Sequence, residues 1–307
     1  MANYIAIDVG GTGIKYALMD KTARIIDQSE VATPKESLDD FLDIIEGIYH
    51  QYQGHHPEAL VMAAPGKIDS QNGYFHTGGA LMYLNAVDLK SLLKHRIPIP
   101  FFVENDAKAA AMAELWKGSM KNVSSGLVVT LGTGIGGAVI IEGKLWKGHT
   151  YAAGEFSGIP VHWNTRASVF GESWADLNCT NSMLTRYAFA TNQDPDAING
   201  RTFFEAVNQG DPTALAELEW FCETLATGLH ALQLALDVEK IAIGGGISRQ
   251  PVLIETLDRI VSNQYDRFPA WMPASKPLIE ACQFSNDANL IGALYNALEQ
   301  TGQLDNQ

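Results

Sequence analysis

The stretch Ile5–Lys15, with the sequence IAIDVGGTGIK, decides the fold of this chain. It joins a short apolar strand to a glycine-rich turn and places a carboxylate, Asp8, beside that turn. Paired glycines let backbone N–H groups approach phosphate oxygens, and a nearby carboxylate can hold Mg²⁺ through water. The stretch therefore predicts a site for a metal-bound nucleotide phosphate, with a plain β-hairpin as the alternative. The predicted phosphate contacts are Gly10, Gly11, Thr12 and Lys15.

A similar strand, glycine turn and strand recur at Leu127–Ile141, with the sequence LVVTLGTGIGGAVII. Such an internal repeat predicts two related lobes, each presenting a glycine turn to one end of a polyphosphate in the cleft between them. Neither turn has the P-loop spacing, and the first runs into a second strand rather than the helix of a dinucleotide fold. The predicted contacts in the second turn are Gly132, Thr133 and Gly134.

A third glycine turn, Gly244-Gly245-Gly246, lies between an apolar strand and a helix predicted from about Pro251 to Val261. Its backbone can lie flat against adenine and ribose, or it can be an ordinary strand-to-helix turn. Asn105 and Asp106 follow another apolar strand and precede an alanine-rich helix. Both residue types cap helices, so capping is the structural explanation for this pair.

These segments together resemble the ROK family of sugar kinases, within the hexokinase and actin-like superfamily. The resemblance covers nearly the whole chain, and its motifs follow in family order: Asp8–Thr12, Ala64–Gly66, Glu104–Ala107, Leu131–Gly137, Gly154–Glu155 and Gly244–Gly246. It implies a two-lobed α/β fold of the actin-like, hexokinase (ribonuclease H-like) type, with ATP and Mg²⁺ as cofactors. It also implies that Asp106 is the general base for a sugar hydroxyl and that Asn105 binds the sugar.

The same resemblance assigns further sugar contacts to Glu155, Gly79 and Asn85. Many family members follow the sugar-binding Glu with Gly-His and a cysteine-rich zinc loop, but Ser157-Gly158 and a cysteine-free stretch stand here, so no zinc is expected. The position of a second family carboxylate aligns with Leu177, which leaves two alternatives: Glu172 or Asp176 replaces it, or the contact is absent. This combination most resembles the zinc-less branch with β-glucoside kinases, in which loss of the His would open the pocket to an anomeric substituent.

The sequence predicts two lobes, 1–117 and 118–286, and a C-terminal helix at 287–300. The family resemblance implies that this helix crosses back onto the first lobe. Strands are predicted near Tyr4–Asp8, Ile14–Asp20, Ala59–Ala63 and Pro100–Val103. A long helix is predicted at Ala214–Leu236. Its core-facing residues are predicted to be Leu215, Leu218, Phe221, Cys222, Leu225, Leu229 and Leu232.

The composition restricts the partners. A net charge of −14 without a basic cluster argues against nucleic acid or anionic membranes as partners. Three scattered cysteines are expected to be buried free thiols in a reducing compartment, and no signal peptide is evident, which favours a cytoplasmic enzyme. The family resemblance implies a homodimer.

The acceptor is expected to be O6 of a hexose or of a β-glucoside. Glucokinase, fructokinase and N-acetylmannosamine kinase activities are the alternatives within the family. Two other classes are weighed: a sugar-responsive repressor, disfavoured because Asp8 lies too near the start for a preceding winged helix, and a non-catalytic sugar or nucleotide sensor, disfavoured by Asp106.

Overall fold

The computed structural model describes residues 2–161, 173–269, 271, 274–285 and 287–304. The chain divides into two compact units, Met1–Gly118 with Lys147–Ala152 and Asn286–Gln307, and Ser119–Trp146 with Ala153–Ser285. The segment 147–152, which lies within the predicted lobe 118–286, belongs to the first unit, where Lys147 and Tyr151 contact Glu104 and His76.

The described residues form thirteen strands and nine α-helices. The strands are β1 Asn3–Val9, β2 Gly13–Asp20, β3 Ile25–Ala32, β4 Ala59–Ala64, β5 Ile68–Asp69, β6 Tyr74–Phe75, β7 Val87–Asp88, β8 Phe101–Asn105, β9 Gly126–Leu131, β10 Ile135–Ile141, β11 Lys144–Trp146, β12 Lys240–Gly244 and β13 Leu278–Ala281. The helices are α1 Leu38–Tyr52, α2 Leu89–Lys94, α3 Asp106–Lys117, α4 Trp174–Asn178, α5 Thr180–Ala190, α6 Gly200–Asn208, α7 Pro212–Leu236, α8 Pro251–Asp266 and α9 Ala288–Gln300.

The main sheet of the first unit has the strand order β3-β2-β1-β4-β8. β1 and β2 form an antiparallel hairpin around the first glycine turn, while β1, β4 and β8 are parallel. Asp8 pairs in register with Ala63, and Ala63 pairs with Glu104. Because the carboxyl ends of parallel strands share one edge, the first glycine turn and the start of α3 both lie there. Neighbouring strands are about 4.8 Å apart, so two strand spacings, about 10 Å, separate the Asp8 and Glu104 backbones.

The main sheet of the second unit repeats this plan, with the order β11-β10-β9-β12-β13. β9 and β10 form an antiparallel hairpin around the second glycine turn, and β9, β12 and β13 are parallel. Thr130 pairs with Gly244 in this register, so the second and third glycine turns leave the same edge of the sheet.

Each unit has its own hydrophobic core, formed between its sheet and its helices. In the first unit α9 packs on α3 and on β1, β4 and β8. A Cβ on Gly292 would lie 1.7 Å from the carbonyl oxygen of Ala109, so this closely packed position accepts only glycine. The predicted helix at Ala214–Leu236 is confirmed as α7, except that Leu215, predicted to face the core, is 43% exposed. Leu215 lies in the first turn of α7, where it projects away from the cluster around Leu218 and Phe221.

Two of the three predicted buried thiols are buried. Cys179 and Cys222 are buried, whereas Cys282, which follows the short strand β13 at the edge of the sheet, is only half-buried. None of the helices in the described ranges combines the length and apolar character that a membrane crossing requires.

Candidate active site

The first glycine turn is closed by its own backbone and by Thr33. The N–H of Gly10 donates to the carbonyl of Gly13 at 2.9 Å, and Thr33 donates through Oγ1 to the carbonyl of Gly10 at 2.7 Å and through its N–H to the carbonyl of Thr12 at 3.1 Å. These bonds occupy the carbonyl groups that would repel an anion. Gly11 and Thr12 are exposed at the tip, as a phosphate contact requires.

Asp8 lies at the last but one residue of β1 and is held by a residue from the other end of the chain. Nδ2 of Asn289, in the first turn of α9, donates to Oδ1 of Asp8 at 2.9 Å. Burial raises the pKa of Asp8, an effect that the Asn289 hydrogen bond and the positive charge of Lys15 reduce and the charges of Asp287 and Glu30 increase. Lys15 stands opposite Asp8 in the hairpin. A partly buried carboxylate that favours a nearby positive charge fits a Mg²⁺ site.

Asn105 and Asp106 form the junction of β8 and α3. Asn105 caps the helix, its Oδ1 accepting from the N–H of Lys108 at 3.1 Å, as the capping explanation predicts. Its Nδ2 donates to Oδ1 of Asp106 at 3.0 Å and to the carbonyl of Gly66 at 3.0 Å. Asp106 Oδ1 also accepts the N–H of Ala107 at 2.8 Å. The capping role therefore fixes the carboxylate of Asp106 in one orientation.

The residue before this junction carries a buried charge that sequence reasoning missed. Glu104 is 1% exposed, and its Oε2 lies 2.6 Å from Nζ of Lys147. Its Oε1 accepts the N–H of Asn105 at 2.9 Å. A glutamate at the end of an apolar strand signals a buried ion pair, but its partner, remote in sequence, cannot be identified from spacing.

In the second unit the second and third glycine turns meet. Gly245 has φ +94°, and a Cβ there would lie 2.1 Å from the carbonyl oxygen of Leu131, so only glycine allows this approach. Ser248 donates to the carbonyl of Gly245 through its N–H at 3.1 Å and its Oγ at 2.8 Å. Gly245 and Gly246 are exposed, which leaves a flat backbone surface next to the second turn.

The second turn is closed in the same manner as the first. The N–H of Gly132 donates to the carbonyl of Gly134 at 3.0 Å, and the N–H of Thr180, the first residue of α5, donates to the carbonyl of Gly132 at 2.8 Å. Thr133 is exposed at the tip. Oγ of Ser157 both accepts from the N–H of Ile135 and donates to its carbonyl, each at 3.0 Å.

Ser157 therefore ties the second turn to the segment that carries Glu155. Glu155 is exposed, at the start of a short 3-10 turn over Phe156–Gly158. Gly154, at φ +89°, packs so closely on the carbonyl of Gly137 that a Cβ would lie 2.4 Å from it. The carboxylate thus leaves a segment that is packed against the hairpin of β9 and β10.

Gly79 and Asn85 belong to one loop of the first unit. Asn85 is exposed, and its Oδ1 accepts the N–H of Gly78 at 2.8 Å. Gly79, at φ +59°, lies beside Pro65 and Gly66, the loop after β4 to which Asn105 also bonds. In the first unit the structure therefore brings Gly79 and Asn105 to one loop cluster at the carboxyl edge of the sheet.

Asp176 has a structural role. Its Oδ2 accepts the N–H of Ser173 at 2.9 Å in a capping box that begins α4. Glu172 and most of the cysteine-free stretch Ile159–Glu172 lie outside the described residues, and the expectation of no zinc stays a prediction. Among the described residues no group of three or more His, Cys, Asp and Glu side chains could hold a metal ion.

Two units with sheets of the same topology, each carrying glycine turns at its carboxyl edge, define the actin-like and hexokinase class of α/β folds. This confirms the fold class predicted from the sequence.

Comparisons with known proteins agree with this class. The ROK family profile matches residues 4–300. The β-glucoside kinase of Klebsiella pneumoniae is 32% identical over 299 residues, which are 95% of this chain and 94% of that protein. A ROK family protein from Streptococcus pneumoniae in complex with sucrose has a TM-score of 0.86 at 29% identity, over 98% of this chain and 99% of that one. A ROK family glucokinase from Streptomyces griseus in complex with glucose and AMPPNP has a TM-score of 0.80 at 27% identity, over 95% and 98% of the two chains. The chain belongs to the ROK family.

Proposed function

We propose that this protein is an ATP-dependent sugar kinase that transfers the γ-phosphoryl group of ATP to a sugar hydroxyl, O6 of a hexose or of a β-glucoside. The observation that carries the proposal is the fixed orientation of the Asp106 carboxylate at the same edge of the first sheet as the phosphate turn beside Asp8. Two strand spacings, about 10 Å, separate the backbones of Asp8 and Glu104 at this edge. Relatives named as β-glucoside kinase and glucokinase support the acceptor class.

Each unit contributes nucleotide contacts in this proposal. In the first unit Gly10, Gly11, Thr12 and Lys15 face the phosphates; in the second unit Gly132, Thr133 and Gly134 do so, and Gly244, Gly245 and Gly246 lie against adenine and ribose. Bound ATP would supply the phosphoryl group, and Mg²⁺ would neutralise part of the phosphate charge, for which the acidic chain offers no basic cluster. Asp8, steadied by Asn289, holds the ion through water.

The acceptor hydroxyl is activated by Asp106. The carboxylate accepts a hydrogen bond from the sugar hydroxyl, aligns its oxygen for in-line attack and takes its proton as the new phosphorus–oxygen bond forms and the bond to the leaving ADP breaks. Two donors, Asn105 Nδ2 and the N–H of Ala107, bind Oδ1 and so hold the carboxylate of Asp106 in the orientation proposed for proton transfer. Asn105, Glu155, Gly79 and Asn85 are the proposed sugar contacts.

The experiment that tests this function is ADP release from Mg-ATP against a panel of glucose, fructose, mannose, N-acetylmannosamine, cellobiose and an aryl β-glucoside. The proposal expects ADP release that depends on both a sugar and Mg²⁺. Turnover confined to β-glucosides would favour the open pocket inferred from Gly158, whereas turnover of a free hexose alone would contradict that substrate class. Absence of turnover with every sugar would favour a sensor. Sedimentation of the same preparation tests the proposed homodimer.

A further inference from the structure

Glu104 is an acidic side chain in a buried position, where an ionised carboxylate without a counter-charge would be unfavourable. It is 1% exposed at the end of β8, between the apolar Val103 and the junction that carries Asp106. Removing one carboxylate from water costs several kcal/mol unless a counter-charge and hydrogen bonds replace the lost solvation. The N–H of Asn105 satisfies Oε1. The charge itself is met by Lys147, whose Nζ lies 2.6 Å from Oε2.

Lys147 belongs to a short segment of the first unit that lies, along the chain, between two stretches of the second unit. The chain leaves the second unit after Trp146 and returns to it at Ala153, and the six residues between belong to the first unit. Nζ of Lys147 also donates to Oγ of Ser70, beside the hairpin of β5 and β6. The side chain is 23% exposed, so the contact is largely screened from water.

Tyr151 provides a second anchor for the same segment. Its hydroxyl is hydrogen-bonded to Asp69, and its ring stacks near His76 with a centroid distance of 6.2 Å and an interplanar angle of 29°. The Asp69 hydrogen bond, with burial as a further cause, raises the pKa of Tyr151, so the phenol stays protonated and keeps donating. The segment is therefore held at both ends, and Lys147 does not depend on a mobile loop for its position.

The ion pair leads directly to the proposed base. Lys147 fixes the Glu104 side chain, Glu104 holds the N–H of Asn105, and Asn105 holds Oδ1 of Asp106. We infer that Lys147 is a positioning residue for phosphoryl transfer, which sets the β8–α3 junction through Glu104 and so aims the Asp106 carboxylate at the sugar hydroxyl. The inference rests on the proposed function, since it assigns Lys147 an effect on the same base.

The test compares four full-length variants in the steady-state kinase assay, using the sugar that the unmodified chain phosphorylates fastest. Lys147→Met removes the charge and keeps the stem, Lys147→Arg keeps the charge, and Glu104→Gln with Lys147→Met removes both charges. Lys144→Met, three residues earlier on an exposed position of β11, is the matched control.

A misplaced base lowers kcat without changing how the nucleotide is bound. We expect Lys147→Met to lower kcat about 10- to 100-fold with KM for ATP changed less than twofold, because errors of about 1 Å in a reacting group have effects of that size. Lys147→Arg is expected to recover most of kcat, and Lys144→Met to match the unmodified chain. The double variant, which buries no unpaired charge, is expected to recover thermal stability but not kcat.

Three results would overturn the inference. They are a kcat for Lys147→Met within twofold of the unmodified chain, a change in its KM for ATP as large as the change in kcat, or full recovery of kcat in the double variant. The last would mean that an uncompensated charge, rather than lost positioning, caused the defect. Should Lys147→Met fail to fold, the double variant alone decides between these outcomes. Failure of the proposed function is distinguishable, because the unmodified chain would then release no sugar-dependent ADP.

Discussion

The two main sheets have the same strand plan but opposite chemistry at their carboxyl edges. In the first sheet the row at the turn reads Asp8, Ala63 and Glu104, with Asp106 just beyond. In the second sheet the corresponding row contains Gly136, Thr130 and Gly244, and these three residues carry no charge. One edge therefore presents carboxylates, and the other presents backbone amides and hydroxyls.

The difference shows what a repeated fold keeps and what it varies. Both hairpins keep a glycine turn whose carbonyls are occupied, by Thr33 in the first unit and by Thr180 in the second. Turns of this kind present N–H groups that can bind phosphate, and we propose this role for the turn of each unit. Proton transfer and metal binding are proposed for two carboxylates, Asp106 and Asp8, and both lie at the first edge.

The largest expected effect tests whether a carboxylate at the edge of the first sheet accepts the proton during phosphoryl transfer. Asp106→Asn keeps the size and the hydrogen bonds to Oδ1 but removes the base, so we expect sugar-dependent ADP release to fall about 10³-fold. Nucleotide affinity, measured by calorimetry, should change less than threefold. Asp39→Asn, an exposed aspartate in the first turn of α1, is the matched control and should be fully active. An active Asp106→Asn enzyme would remove the distinction between the two edges.

The next effect tests whether the second edge depends on backbone shape. Gly245→Ala forces a side chain into a left-handed backbone position against the carbonyl of Leu131, so we expect a loss of roughly 2–4 kcal/mol in unfolding free energy and weaker ATP binding. Gly246→Ala, where a Cβ meets no atom within 4 Å, should change stability by less than about 0.5 kcal/mol. Equal stability of the two variants, measured by urea unfolding, would contradict the close approach seen at Gly245.

A third prediction concerns the cost of the carboxylate at the first edge. Because burial raises the pKa of Asp8, the folded chain binds this proton more tightly than the unfolded chain does. Stability therefore falls as the pH rises from the ordinary aspartate pKa through the raised value. Without ligand, Asp8→Asn should be more stable than the unmodified chain at pH 7, on the order of 1 kcal/mol, with the difference disappearing in acid.

The same variant should lose the Mg²⁺ dependence of ATP binding. Thr130→Ala, at the corresponding strand position of the second unit, provides the control and should show a stability difference that does not vary with pH. If Asp8→Asn were less stable than the unmodified chain at neutral pH, the ionised carboxylate would be stabilising rather than costly.

The smallest effect compares the two threonines that close the turns. Thr33 Oγ1 bonds the carbonyl of Gly10 at 2.7 Å, whereas Thr180 Oγ1 reaches the carbonyl of Leu131 only at 3.4 Å. We expect Thr33→Val to cost about 1 kcal/mol of unfolding free energy and Thr180→Val about half as much or less. Thermal unfolding of both variants side by side measures the difference, and the reverse order would contradict the geometry.

Local sequence was sufficient for the elements around the site. The strand predicted at Tyr4–Asp8 is confirmed as Asn3–Val9, and the helix predicted after the third turn begins at Pro251 as expected. These elements were predictable because apolar runs, glycines and a proline determine them within a few residues. The capping role of Asn105 was equally local.

The partners of the site's charges were not predictable in this way. Asn289, which donates a hydrogen bond to Asp8, is 281 residues away along the chain. Lys147 contacts Glu104 from a segment whose flanking residues along the chain belong to the other unit. Nothing in the residues flanking Asn289 or Lys147 differs from an ordinary polar position. Pairings of this kind form only when the strands and helices assemble, so they cannot be predicted from the spacing of residues along the sequence.

The placement of α9 determines the order in which the chain can acquire its structure during synthesis. Residues 1–118 of the first unit precede the second unit along the chain, whereas α9, which packs on the sheet of the first unit, follows it. Asn296, which donates to the carbonyl of Val103, and Asn289, which steadies Asp8, arrive together with that helix. The sheet surface of the first unit on which α9 packs therefore stays uncovered until the residues of the second unit have been translated.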